Sequence, residues 1–104
     1  MGTVEAETLL PNDHVIQAVQ AGKMTQISRG QAYAAEGDSF EIDGQEFVVV
    51  SIDELTLGEL TDADAQREGS ADLEAYKERL IRAHGGNFEW DDDAEIVRHQ
   101  FEAT

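Results

Sequence analysis

Two spacings of apolar residues organise the chain. Val15, Ile16 and Val19 fall at i, i+1 and i+4, a single helical stripe that Asn12 or Asp13 is placed to cap and Gly22 to end. Thr25, Ile27 and Arg29 then alternate with Met24, Gln26 and Ser28, the period of a strand with a guanidinium at the end of one face. Residues 30–37 read as a loop and Gly37-Asp38 as a turn into a strand at 39–42. Asp43-Gly44 predicts a type I′ hairpin, because that turn needs positive φ at both central residues. The returning strand, 45–52, carries Phe47, Val48, Val49 and Val50 in succession, so both of its faces are expected to be covered.

After Asp53-Glu54 the period lengthens. Leu57 and Leu60 predict a short helix, and Thr61 opens another turn of helix that runs to Glu68-Gly69. Ser70 is then expected to cap a longer helix, 71–84, with Leu73, Tyr76, Leu80 and Ile81 inward and Gly85-Gly86 closing it. The acidic segment 90–93 reads as a loop. Residues 94–101 alternate as a last strand, with Ile96 and Arg98 opposite Val97, His99 and Phe101. At the other end, 4–10 reads as a short strand stopped by Pro11. The expected architecture is α+β: one domain over 1–104, mostly antiparallel strands, and about three flanking helices.

Charge changes this picture in one respect. There are 23 acids against seven Lys and Arg, a net charge of −16, and a pI near 4.2. Exposed acids at this density repel one another at low salt, whereas at molar salt the screening length falls to roughly 3 Å and the repulsion fades. The composition therefore suggests a halophile's salt-rich cytoplasm. The other reading is that the acids attract a basic partner or mimic nucleic acid. There are no cysteines, so thiol chemistry and disulfides are excluded. The N-terminus lacks the basic and apolar regions of a secretory signal, and the apolar runs are too short to span a bilayer. A soluble, cytoplasmic, monomeric protein with no membrane partner is expected.

Residues 14–35 contain no Asp or Glu. Burial accounts for this at Val15, Ile16, Val19 and Ile27, but not at Gln17, Gln20, Gln26, Ser28 and Gln31, so the segment is the first place to look for a binding face. Familiar chemistry is otherwise missing. His14, His84 and His99 form no metal-binding pair, and Asp62-x-Asp64 fails as a calcium loop because Arg67 and Leu73 stand where Gly and Glu are required. Asp91, Asp92 and Asp93 read as a solvated loop. No nucleophile elbow, P-loop or dinucleotide fingerprint occurs. Neither a metal nor a cofactor is expected.

The run Gly22-Lys23-Met24-Thr25-Gln26-Ile27-Ser28-Arg29 resembles the G-K-K-T-x-T-x-R signature of the ASCH domain, a PUA-like β-barrel family associated with RNA. Further pieces follow in order: Gly37-Asp38 before a strand, the valine-rich strand, residues 55–60, Ala65-Gln66-Arg67-Glu68-Gly69, a helix, and a closing strand ending in Phe101. The acid content resembles that of a haloarchaeal-type member. The resemblance implies a small PUA-like β-barrel. Some ASCH proteins of similar length are amidohydrolases that deacetylate acetylated cytidine through a lysine, a threonine and a glutamate. Glu68 matches the glutamate, but Met24 and Ile27 occupy the lysine and threonine positions. Lys23 and Thr25 are the neighbouring candidates, although a one-residue slip along a strand turns a side chain to the other face. The resemblance thus implies a binding module for RNA or a modified nucleoside, without efficient catalysis, using Lys23, Thr25, Gln26, Ser28, Arg29 and Glu68. An amidohydrolase with an altered catalytic set and a protein-interaction domain acting through its acidic surface are the alternatives.

Overall fold

The computed structural model describes residues 2–10, 12–83, 85 and 89–104. Among the described residues there are four helices and four strands, α1 (Ala6–Leu9), α2 (Asp13–Gln20), β1 (Gln26–Arg29), β2 (Ser39–Ile42), β3 (Gln45–Thr56), α3 (Asp62–Arg67), α4 (Leu73–Ala83) and β4 (Glu95–Ala103), with a 3₁₀ turn at Leu57–Glu59. The strands make one antiparallel sheet in the order β1-β4-β3-β2, curled into a half-barrel with helices against it. This is the α+β arrangement of mostly antiparallel strands with flanking helices expected from the sequence.

Local chemistry explains most boundaries. Asn12 Oδ1 accepts from the Val15 N–H at 2.9 Å and starts α2, and Gly22 (φ 78°) ends it. Asp43 (φ 49°) and Gly44 (φ 85°) form the hairpin turn between β2 and β3. Between Val49 and Ser51 the β3–β4 register shifts, which is a bulge that leaves Val50 unpaired and 41% exposed. β3 nevertheless runs past Asp53-Glu54 to Thr56, because Asp53 pairs across the ladder with Arg98 instead of facing water alone.

Three expectations are corrected. Residues 4–10 are not a strand: only Thr3 bridges Ser39, and Ala6–Leu9 coil into one turn of helix that buries Leu9 and Leu10 fully. Ser70 does not cap α4. Its N–H bonds the Ala65 carbonyl at 2.9 Å and closes α3, while Asp72 Oδ1 accepts from Ala75 N at 2.9 Å and starts α4. Ile81 lies outside the inward stripe at 37% exposed, whereas Tyr76 is 2% exposed. Pro11, His84 and Gly86 lie outside the described residues.

The two faces of the sheet differ. One carries Ile27, Phe47, Val49 and Phe101 and packs with Phe40 against Leu9, Leu10 and Val19 of the N-terminal helices. Phe40 stacks on Phe47 and meets Phe101 edge-on, with ring centroids 5.3 and 5.4 Å apart. The other face ends in a smaller apolar cluster of Leu57, Leu60, Ala65, Tyr76 and Ile96. Its middle is polar: register puts Gln26 opposite Gln100, Ser28 opposite Arg98, and Ser51 and Asp53 opposite Gln100 and Arg98. That belt determines where the site forms.

Candidate functional site

Residues of α2, β1 and α4 line an open cleft of about 1000 Å³. Lys23, Arg29, Arg79 and Arg82 line it, four of the chain's seven cationic side chains. Among the described residues, the only acid in the wall is Glu68. The acid-free segment supplies one wall and α4 the other, with Tyr76, Arg79 and Arg82 recurring every third residue along the helix.

Glu68 is 2% exposed because α3 ends on it: Gly69 (φ 87°) reverses the chain, and the Gly69 and Ser70 N–H groups bond the Gln66 and Ala65 carbonyls. Its carboxylate accepts from Gln26 Nε2 at 2.9 Å, Ser28 N at 3.0 Å, Ser28 Oγ at 2.8 Å and Tyr76 Oη at 3.1 Å. Four donors fill the lone-pair positions of two oxygens. Burial raises the pKa of Glu68, and the bonds from Gln26, Ser28 and Tyr76 oppose the rise without cancelling it. Tyr76 is raised by burial and by the neighbouring Glu68 charge, so it remains a donor.

Behind Glu68 the polar belt is linked throughout. Ser51 Oγ donates to Gln100 Oε1 at 2.7 Å, Gln100 Nε2 donates to Gln26 Oε1 at 3.1 Å, and Gln26 Nε2 reaches both Glu68 and Asp64. These bonds fix which way the Gln26 amide faces. Asp64 also takes Arg98 Nη1 at 3.1 Å, while Arg98 Nη2 holds Asp53 at 3.0 Å. Burial acts to raise the Asp64 pKa, but bonds from Thr61 and Gln26 and the Arg98 charge outweigh it and hold the carboxyl below its usual value. On the opposite sheet face His99 is fully buried. Its Nε2 accepts the Tyr33 N–H at 3.1 Å, so Nδ1 carries the proton and donates to the Ile27 carbonyl at 3.2 Å. Burial lowers its pKa, and the neutral ring is a structural strut.

No family model matches the chain, and no curated protein does. Solved structures do. Protein EF3133 from Enterococcus faecalis V583, described by the family model DUF984, superposes with a TM-score of 0.61 at 18% identity over 85% of this chain and 65% of its own. The ASCH domain from Lactobacillus crispatus JV V101 gives 0.62 at 15% identity over 98% of this chain and 78% of its own. The fold is that of an ASCH domain. The hypothetical protein PH0355 shares it, with a TM-score of 0.60 at 14% identity over 99% of this chain and 98% of its own. This chain thus spans about two-thirds of the length of the Enterococcus protein, 65%.

Within the ASCH fold, the residues singled out from sequence separate into three groups. Lys23, Ser28, Arg29 and Glu68 meet in the cleft. Gln26 is fully buried behind Glu68, as its donor. Thr25 is exposed and not part of the cleft wall, with its backbone tied to Arg67 and Phe101. Met24 and Ile27, the residues at the family's lysine and threonine positions, both line the cleft and are both buried. Arg29 forms no ion pair among the described residues. Its Nη1 donates to the Leu9 carbonyl at 2.7 Å and its guanidinium lies 4.3 Å from the centre of the Tyr33 ring. Arg79, Arg82 and Tyr76 were not singled out as site residues. The signal for them was present, since Lys77, Arg79 and Arg82 place three of seven cations on one helix. Among the described residues no group of three His, Asp or Glu is arranged to hold a metal ion, and no helix is long and apolar enough to cross a membrane.

Proposed function

We propose that this chain is an ASCH-fold binding module whose cleft takes a nucleoside unit, free and modified or within single-stranded RNA, without efficient catalysis. The observation that carries the reading is the concentration of Lys23, Arg29, Arg79 and Arg82 around one cleft of a protein with a net charge of −16. Guanidinium groups suit phosphate and base edges, and Tyr76 of α4 and Ser28 of β1 offer hydroxyls in the same cleft. Catalysis is left out because Met24 and Ile27 bring a thioether and an alkyl chain where a proton-accepting group and a hydroxyl would be required. The test is calorimetric titration with a panel of modified nucleosides and short single-stranded RNAs at several KCl concentrations. Acetylated cytidine is included, and release of cytidine is followed by chromatography. Saturable binding without turnover is expected. Absence of binding across the panel sinks the module reading, and turnover that Glu68→Ala abolishes would instead make the protein an amidohydrolase.

A further inference from the structure

The seven cations do not share the chain's acids evenly. Arg67 and Arg98 both meet Asp64, Arg98 also meets Asp53, and Arg82 meets Glu78. Lys77 lies over the Trp90 ring. Lys23, Arg29 and Arg79 have no carboxylate partner among the described residues, although acids outnumber cations by 23 to seven. All three line the cleft. Arg29 is held by the Leu9 carbonyl and the Tyr33 ring and Arg79 by the Glu68 carbonyl and the Tyr76 ring, neutral partners that leave both charges, like that of Lys23, without a carboxylate among the described residues.

Arg79 is oriented before any ligand arrives. Nη1 donates to the Glu68 carbonyl at 2.8 Å, and the guanidinium lies 5.3 Å from the centre of the Tyr76 ring. One of its five N–H donors is thereby fixed and the rest of the fork keeps its direction. Gly69 lies between it and Met24: a Cβ there would stand 3.2 Å from Met24 Cγ, a tight approach, and 3.6 Å from Arg79 Nη1, an ordinary contact. Arg79 thus lies beside Met24, the residue that follows Lys23 in the same wall. Arg82, paired among the described residues only with an exposed Glu78 at 3.7 Å, stands one helical turn further along.

We infer that Lys23 and Arg79, with Arg82 beside them, form a phosphate subsite, so that the ligand is phosphorylated and not a neutral nucleoside. The phosphate meets Lys23 and the Arg79–Arg82 end of α4, and the base meets the Ser28 side of the cleft. The inference rests on the cleft being the binding site of the proposed function. It differs in requiring the anion. A free nucleotide and an RNA strand present the same group, and the experiment separates them.

The intact chain is titrated in molar KCl with nucleosides, their 5′-monophosphates, inorganic pyrophosphate and a trinucleotide RNA. The 5′-monophosphate or the trinucleotide is expected to bind about tenfold more tightly than the nucleoside, the tighter of the two identifying the source of the phosphate. Lys23 is exposed, so Lys23→Gln leaves the urea midpoint unchanged and removes most of that preference. Arg79→Gln removes it too, and Arg79→Lys restores part. Pyrophosphate binding that Lys23→Gln weakens, with no nucleoside binding at all, supports the subsite and overturns the nucleoside reading. Equal affinity for nucleoside and monophosphate, or a preference that survives Lys23→Gln, overturns the subsite and leaves the nucleoside reading standing. No binding of any probe overturns both.

Discussion

Glu68 is the residue on which most of the site depends, and its chemistry limits what it can do. Its two oxygens already accept four hydrogen bonds, so a ligand amine reaching it must displace Ser28 Oγ or Tyr76 Oη. The carboxylate also satisfies the Ser28 N–H on the open edge of β1, where a further strand would otherwise pair. Glu68→Gln therefore tests structure before it tests binding. The amide replaces one acceptor by a donor, the hydroxyls of Ser28 and Tyr76 can rotate, but the Ser28 N–H and the Gln26 amide cannot, since Gln100 donates to Gln26 Oε1. One unsatisfied buried donor predicts a loss of about 1–3 kcal/mol near neutral pH, read as a lower urea midpoint. The loss varies with pH in a defined direction. The folded pKa of Glu68 lies above its ordinary value of 4.5, so between the two the native state holds more protons than the unfolded one, and stability from this group declines as pH rises. The advantage of wild type over Glu68→Gln should thus be largest at and below pH 4.5 and shrink as pH climbs through the raised value. An advantage that grows with pH would show that the four donors, not burial, dominate the carboxyl.

At the scale of elements, the α3–α4 junction decides how Tyr76 and Arg79 are presented. Asp72 starts α4 through its bond to Ala75 N, and Ser70 closes α3. Asp72→Ala is expected to cost about 1 kcal/mol, and Ser70→Ala only a few tenths, because Ser70 acts through its backbone. Chemical denaturation of the two variants checks the order, and a larger loss at Ser70 would put the cap where the sequence suggested it. That misplacement has a physical cause: Ser70 and Asp72 are both good capping residues, and Gly69 marks the end of one helix without fixing the start of the next. The 4–10 segment misled for a similar reason, since Val4, Ala6, Thr8 and Leu10 alternate like a strand while Ala6 and Leu9 also satisfy one helical turn. The hairpin at Asp43-Gly44, the bounds of α2 and the two faces of β4 were legible because turn chemistry and strong periodicity act locally. Half of the cleft was legible for the same reason, as the absence of acids over 14–35. The neutral side chains there have partners in the fold, Gln26 and Ser28 at Glu68 and Gln20 at Asp43. The other half was not, because Arg79 and Arg82 lie some fifty residues away and only the packing of α4 brings them to β1.

Over the whole molecule, charge is divided unequally. The cleft gathers four cations and one acid, so the rest of the molecule holds three cations and every other acid, of which Asp64 is buried. Much of that acid has no ion-pair partner among the described residues, and its mutual repulsion opposes the compact state. Added KCl should relieve it. The screening length shortens from about 10 Å at 0.1 M to about 3 Å at 1 M, so exposed carboxylates cease to interact. The bridges of Arg98 to Asp53 and Asp64 are short and partly buried, and they are screened far less. The thermal midpoint is therefore expected to rise with KCl, most steeply below a few tenths molar, and to flatten towards molar salt once the screening length falls below the spacing of surface charges. Ligand binding should follow a different course. A polyanion bound at the proposed Lys23–Arg79 subsite would meet general repulsion from the acid surface at low salt and attraction at close range, so its affinity should fall less steeply with salt than the roughly −0.7 per phosphate slope of ordinary single-strand binding. A midpoint that stays flat or falls as KCl rises would mean that the acids are already relieved, by pairing or by spacing, and would remove the salt-rich cytoplasm as the reason for this composition.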